Sequence, residues 1–148
     1  MAIALQSCAA FAESAVLECI SSKHVEAKGD GTTFYQFRMS AAPGWTISRA
    51  SLLLHTTGTV PKSVEVGLAV EKWNEFDAKL IPVAGKMRKY DATELKLGWI
   101  RIELEPAQAQ QIVHGLAVKV AGAGKAMPFH LRESMQYSPY LLLEGTSQ

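Results

Sequence analysis

Apolar and polar residues alternate along most of this chain, the two-residue period of strands with one face buried. Residues 15–20 open the pattern, and Lys28-Gly29-Asp30-Gly31 supplies a turn. Strands are predicted over 33–39, with Tyr35, Phe37 and Met39 on one face, and over 46–57, with Ala50, Leu52 and Leu54 inward. Ser51, Leu53 and His55 share the opposite face of that second strand. Val64, Val66, Leu68 and Val70 form the next inward row; residues 76–89 carry little pattern. Ile100, Ile102 and Leu104 continue the core, as do Leu116, Val118 and Val120. Residues 128–144 read as two strands joined by a short turn, with Arg132-Glu133 inside the first and Ser138-Pro139 entering the second. The one helical candidate spans 106–113, where Pro106 suits a first turn and Gly115 stops the run. About nine short strands turned by Gly and Pro predict an all-β fold. The expected architecture is a two-sheet antiparallel β-sandwich with one short helix, a single domain over residues 1–148.

The 148 residues suffice to bury a core without staples. A net charge of +1 gives no global field to draw nucleic acid or an anionic membrane, so neither is an expected partner. No apolar run approaches the ~18 residues of a spanning helix. The opening stretch lacks a basic region and is interrupted by Gln6 and Ser7, so the chain as written reads as intracellular. Cys8 and Cys19 lack metal-type spacing; free thiols are favoured over a disulfide in such a compartment.

One order of features goes further. Phe34-Tyr35-Gln36-Phe37-Arg38-Met39 precedes Ile47-Ser48-Arg49-Ala50-Ser51-Leu52-Leu53-Leu54. A Val-rich strand ending in Trp73, then Tyr90-Asp91-Ala92-Thr93 and Gly98-Trp99, follow. Leu116-Ala117-Val118-Lys119, Phe129-His130-Leu131-Arg132-Glu133 and Ser138-Pro139-Tyr140-Leu141 close the series. The chain resembles the DNRLRE-type domain over residues 13–144, with Leu131 where the family usually has Ser. The resemblance implies a jelly-roll akin to bacterial carbohydrate-binding modules, mostly of secreted proteins, that binds a polysaccharide without catalysis. It also brings in a structural calcium, for which Asp30, Glu26 or Glu13 are the candidate oxygens; otherwise no cofactor is expected.

Ring stacking on sugar assigns the ligand-binding role to Trp99 and Trp45. Trp99 is out of phase with Ile100, Ile102 and Leu104, and Trp45 lies in a Pro-Gly loop. Trp73 reads as a core plug or an edge cover. Arg38, Arg101 and Lys119 are the candidate donors to hydroxyls or carboxylates. With Gln36, His55, His130 and Arg132 they oppose the inward rows, so a shared sheet would present a basic face suited to an anionic glycan. Arg132 and Glu133, as neighbours in a strand, are expected on opposite faces. No nucleophile elbow, P-loop or dinucleotide fingerprint occurs, and the four histidines lack metal-ligand spacing. The competing expectation is an assembly module that contacts protein partners or itself through exposed strand edges.

Overall fold

The computed structural model describes residues 12–27, 29–124 and 126–147. Cys8 and the rest of the opening stretch lie outside them, as does Lys28 of the predicted turn. Among the described residues nine antiparallel strands form: β1 (Ala12–Ala27), β2 (Asp30–Phe37), β3 (Thr46–His55), β4 (Ser63–Leu68), β5 (Arg88–Asp91), β6 (Thr93–Glu94), β7 (Trp99–Leu104), β8 (Leu116–Lys119) and β9 (Tyr140–Thr146). The helix α1 (Pro106–Ala109) is shorter than predicted, with Pro in its first turn.

The strands lie in the order β5-β4-β8-β2-β1-β9-β3-β7-β6. The outermost strands, β5 and β6, are separated along the chain by Ala92 alone. The chain therefore steps from one edge of the sheet to the other, and the sheet is nearly closed. The turn of the sheet is made in β1. Its residues 12–18 pair with β9, and from Cys19 onward it pairs with β2. The register slips between Cys19 and Ser21, a bulge that bends the strand where it changes partner.

Alternation then sends one row from each strand into a common core. Tyr35, Phe37, Val64, Val66, Leu116 and Val118 come from one half of the sheet. Leu17, Ala50, Leu52, Leu54, Ile100, Ile102, Leu104, Leu141 and Leu143 come from the other. The side chain of Gln108 in α1 reaches into this core, donating to the Val66 carbonyl at 3.1 Å and accepting from the Tyr90 hydroxyl.

A second buried group lies on the opposite side of β2 and β8. Phe34, Ala117, Ala69 and Trp73 form it, with Leu80, Ala84 and Met87 packed around them. Residues 69–87, which include most of the weakly patterned stretch 76–89, thus cover this outer side. Trp73 is buried in this outer group rather than in the central core, its indole N–H donating to the His114 carbonyl at 2.7 Å.

Two predicted strands are corrected. Val70 is half exposed, because β4 ends at Leu68 and the chain turns back at the Ala69–Ala84 bridge. The strand expected at 128–133 is a single bridge, Phe129 to Thr56, followed by a 3-10 turn over Arg132–Tyr137. Arg132 and Glu133 are therefore not strand neighbours on opposite faces. The backbone N–H of Arg132 is taken by the Ser22 hydroxyl at 2.8 Å, which replaces a ladder bond.

Tyr35 is fully buried in the core, and among the described residues its hydroxyl has no hydrogen-bond partner. Burial pushes its ionisation well above the ordinary tyrosine range. An unsatisfied buried hydroxyl costs about 1–3 kcal/mol, so Tyr35→Phe should leave stability unchanged or raise it by about 1 kcal/mol. Urea unfolding checks this; a clear loss would mean that the hydroxyl is bonded.

Candidate functional site

Among the described residues, no segment like 69–87 covers the side of β1, β9, β3 and β7 that faces away from the core. Strand phase decides what it shows. Because Leu141, Leu143, Ile100 and Ile102 point inward, Tyr140, Leu142, Trp99 and Arg101 point outward. The pairing register lays these residues out in rows. His55 faces Trp99; the next row runs Glu18, Tyr140, Leu53, Arg101 and Thr93. Beyond it lie Val16, Leu142, Ser51 and Glu103, then Ser14, Glu144 and Arg49.

Leu53 is 3% exposed although it belongs to neither buried group. Large neighbours roof it instead. Trp99 and Tyr140 approach to 5.5 Å between ring centroids, and Trp99 meets His55 edge-on at 5.3 Å. Tyr137 stacks on His55 at 4.0 Å and on His130 at 5.1 Å. A continuous aromatic strip therefore runs Tyr140, Trp99, His55, Tyr137, with Trp99 and Tyr140 half-buried. Beside Tyr140 opens a groove of about 410 Å³ lined by Val16, Glu18, Arg132 and Ser138, within the size range of small-molecule sites.

The backbone on one side of this strip is unusual. Leu97 (φ 61°) and Met135 (φ 56°) are the non-glycine residues with left-handed backbone among those described, and both side chains are exposed. Such conformations cost of order 1–3 kcal/mol and cluster where function imposes geometry.

The charges on this face are compensated. Arg101 lies 2.7 Å from Glu103, which also holds Arg49 at 3.1 Å and accepts the Ser51 hydroxyl at 2.8 Å. Arg49 extends to Glu144 at 3.4 Å. Arg49, Ser51 and Arg101 hold the Glu103 carboxyl below the usual carboxylate range. Arg38 pairs with Glu18 at 2.7 Å, beside Tyr140.

Of the five residues predicted to bind ligand, the structure gathers three at this face: Trp99, Arg101 and, through Glu18, Arg38. Lys119 stands on β8 in the other half of the sheet and pairs with Asp30 at 3.0 Å. Trp45 packs against the core, with its carbonyl accepting from Gln110 at 2.8 Å. The shared basic face expected from strand phase does not form, because the sheet turns at β1 and divides Lys119 and Gln36 from Arg101 and His55. Sequence reading passed over Tyr140 and Tyr137. The phase of Leu141 and Leu143 was signal enough for Tyr140; nothing local marks Tyr137.

No protein-family model matches this chain, and no curated protein matches it. The site is therefore read from its own chemistry.

Other candidate chemistry is engaged structurally. Asp30, a suggested calcium ligand, is held by Lys119. Among the described residues no three His, Cys, Asp or Glu side chains converge to hold a metal ion. Burial pushes the Cys19 thiol up to about 12, so it is no nucleophile at neutral pH. His24 bonds the Thr33 hydroxyl at 2.8 Å. The Glu75 carboxylate is chelated by Arg132 at 2.5 and 2.8 Å.

Proposed function

We propose that this domain is a non-catalytic carbohydrate-binding module that holds a polysaccharide against the open face of β9, β3 and β7. The fold in this reading is a jelly-roll of the DNRLRE type, its two layers being the halves of the sheet on either side of the turn in β1. The observation that carries the functional reading is the half-exposed ring pair Trp99–Tyr140, set on strands beside a groove of mixed lining in which Glu18, Arg132 and Ser138 are the polar groups. Aromatic rings supply contact area at low entropy cost. Arg101, Arg38 and Ser138 stand within the same neighbourhood to donate to sugar hydroxyls.

The compensated charges favour a neutral polysaccharide over an anionic one. A uronate would have to displace Glu103 from Arg101 or Glu18 from Arg38, and each displaced carboxylate would lose its partner. Strand addition as a mode of assembly finds little support. The edges are four and two residues long and lie next to each other in the chain.

A glycan array of neutral and uronic-acid polymers, read with and without calcium, tests the proposal. Binding to neutral polymers is expected. The double variant Trp99→Ala, Arg101→Ala should keep its circular dichroism spectrum and lose more than about tenfold in affinity, the scale of a truncated aromatic anchor. Undiminished binding by that variant would remove the assignment of the site, and a blank array would remove the assignment of the ligand.

A further inference from the structure

His55 and His130 lie next to the Thr56–Phe129 bridge, where the backbone N–H of His130 donates to the His55 carbonyl at 2.9 Å. The two strand segments are pinned again by the bond from the Thr57 N–H to the Pro128 carbonyl at 2.9 Å. This backbone pairing brings the imidazoles together, with the two Nδ1 atoms 3.0 Å apart.

The proton arrangement of His55 is settled by its surroundings. Its Nε2 lies 2.8 Å from the Leu97 carbonyl, which only accepts, so Nε2 carries the proton and Nδ1 of the neutral ring keeps its lone pair. That lone pair faces His130. One ring N–H given to a backbone carbonyl is the outer support usual for a metal-ligating histidine, and the other nitrogen of His55 is left unprotonated, accepting from the His130 Nδ1–H.

The loop that supplies the carbonyl is shaped for it. Leu97 adopts its left-handed conformation there, and Gly98 follows at φ 85°. A Cβ on Gly98 would stand 2.9 Å from His55 Nε2, so the imidazole occupies space that only glycine leaves open. The Gly98 carbonyl in turn accepts both the backbone N–H and the hydroxyl of Thr56, at 2.9 and 3.0 Å. Tyr137, stacked on both rings, restrains their tilt.

Zinc–imidazole bonds of about 2.0–2.1 Å at angles between square and tetrahedral place two ligating nitrogens about 2.9–3.4 Å apart. The observed 3.0 Å falls in that interval. We propose that His55 and His130 form a two-imidazole chelate for a late first-row divalent cation, Zn²⁺ or Cu²⁺, bound through the paired Nδ1 atoms. Imidazole suits both ions, and Cu²⁺ is the tighter of the two at an unconstrained nitrogen site. The remaining coordination positions go to solvent or to an outside ligand, which gives an open site rather than a closed structural one. The exchange balances simply. In the metal-free pair the His130 Nδ1 proton lies between the rings; on binding it leaves Nδ1, and His130 takes its proton at Nε2 instead. The proposal does not rest on sugar binding and is tested without sugar.

Calorimetric titration with Zn²⁺ in a non-chelating buffer should show one saturable site, and Cu²⁺ should give an electron paramagnetic resonance spectrum split by two equivalent nitrogens. His55→Ala and His130→Ala should each weaken binding by more than about a hundredfold, beyond the cost of losing a mere outer-shell partner. His24→Ala and His114→Ala should leave it intact. Gly98→Ala, which keeps both ligands but crowds the His55 ring, should weaken it too. Zn²⁺ should raise the melting temperature of the parent protein and not that of the two ligand variants, a comparison that holds even if those variants are less stable. An absence of saturable binding, or a site that persists unchanged in both His55→Ala and His130→Ala, overturns the proposal.

Discussion

Gly115→Ala is expected to be the most damaging single-methyl addition in the described chain, lowering stability by about 3 kcal/mol or more. Gly115 stands at φ 100°, where an L side chain is strained whatever the space around it. Here there is no space. A Cβ would run into the Tyr35 carbonyl and lie 3.0 Å from the Gln36 Cα, both backbone atoms of β2 that cannot swing aside. The close approach has a purpose. Gly115 leads into β8, its carbonyl accepts the Ala69 N–H at 2.9 Å, and the preceding His114 carbonyl takes the Trp73 indole. Moving Gly115 would disturb the β2–β8 pairing and the anchorage of residues 69–87 together. Gly122→Ala is the matched control. It too has positive φ, 80°, but no atom lies within 4 Å of its Cβ position, so only the left-handed penalty of about 1–2 kcal/mol applies. Denaturant titration of the two variants separates the terms; equal losses would show that the crowding at Tyr35 is relieved at no cost.

Arg132→Ala should lower the urea midpoint of unfolding clearly, because it strands the nearly buried Glu75 carboxylate, though by less than breaking a fully buried pair would. Glu75 retains only 11% of its side-chain exposure and would keep a single contact, the Ser22 N–H at 3.3 Å. The pair also joins three segments distant in sequence: β1 through Ser21 and Ser22, the loop around Glu75, and the 3-10 turn after Leu131. Arg132→Lys should restore little, since a point charge does not replace two parallel N–H donors. The same pair sets an acid response. The Arg132 bond holds the Glu75 carboxyl below its ordinary value. Its stabilisation is thus complete above the unfolded carboxylate pKa of about 4.3 and is lost as pH falls through the lower folded value. Glu103 adds a smaller part in the same window, being more exposed. Unfolding free energy measured from pH 6 to pH 2.5 should fall less steeply in Glu75→Gln than in the parent; parallel curves would assign the acid response elsewhere.

The Arg132 case also shows where sequence reading ran out. Alternation located β3, β7 and β8 because each has one face in the core and one outside, and the same phase argument put Trp99 on the open face. It misread residues 128–133 because Phe129 and Leu131 mimic strand spacing, while the partners that decide the conformation, Ser22 and Glu75, lie far away in sequence. It missed β5, where Tyr90 is the one half-buried side chain among exposed neighbours. The aromatic strip was half legible. Trp99 and Tyr140 follow from phase, but Tyr137 and the His55–His130 contact depend on how the chain returns after Phe129. The ion pairs that neutralise Arg38, Arg101 and Lys119 were out of reach, since no pairing register is written in a single sequence.

The division of β1 between two partners has a consequence for how this protein is made. Its second half can fold back on β2 as a local hairpin soon after leaving the ribosome. Its first half must wait for β9, synthesised last among the strands, and β3 waits for the same strand on its other side. At the usual ~5–20 residues per second of synthesis, Val16 and Leu17 spend several seconds without their β9 neighbours, and Leu52 has only its β7 side covered. Sequence-distant pairing of this kind slows folding, so the nascent chain is most exposed to aggregation just before its final strand arrives. A chain stalled or cleaved ahead of Tyr140 would leave β1 and β3 as two apolar edges open to each other's copies.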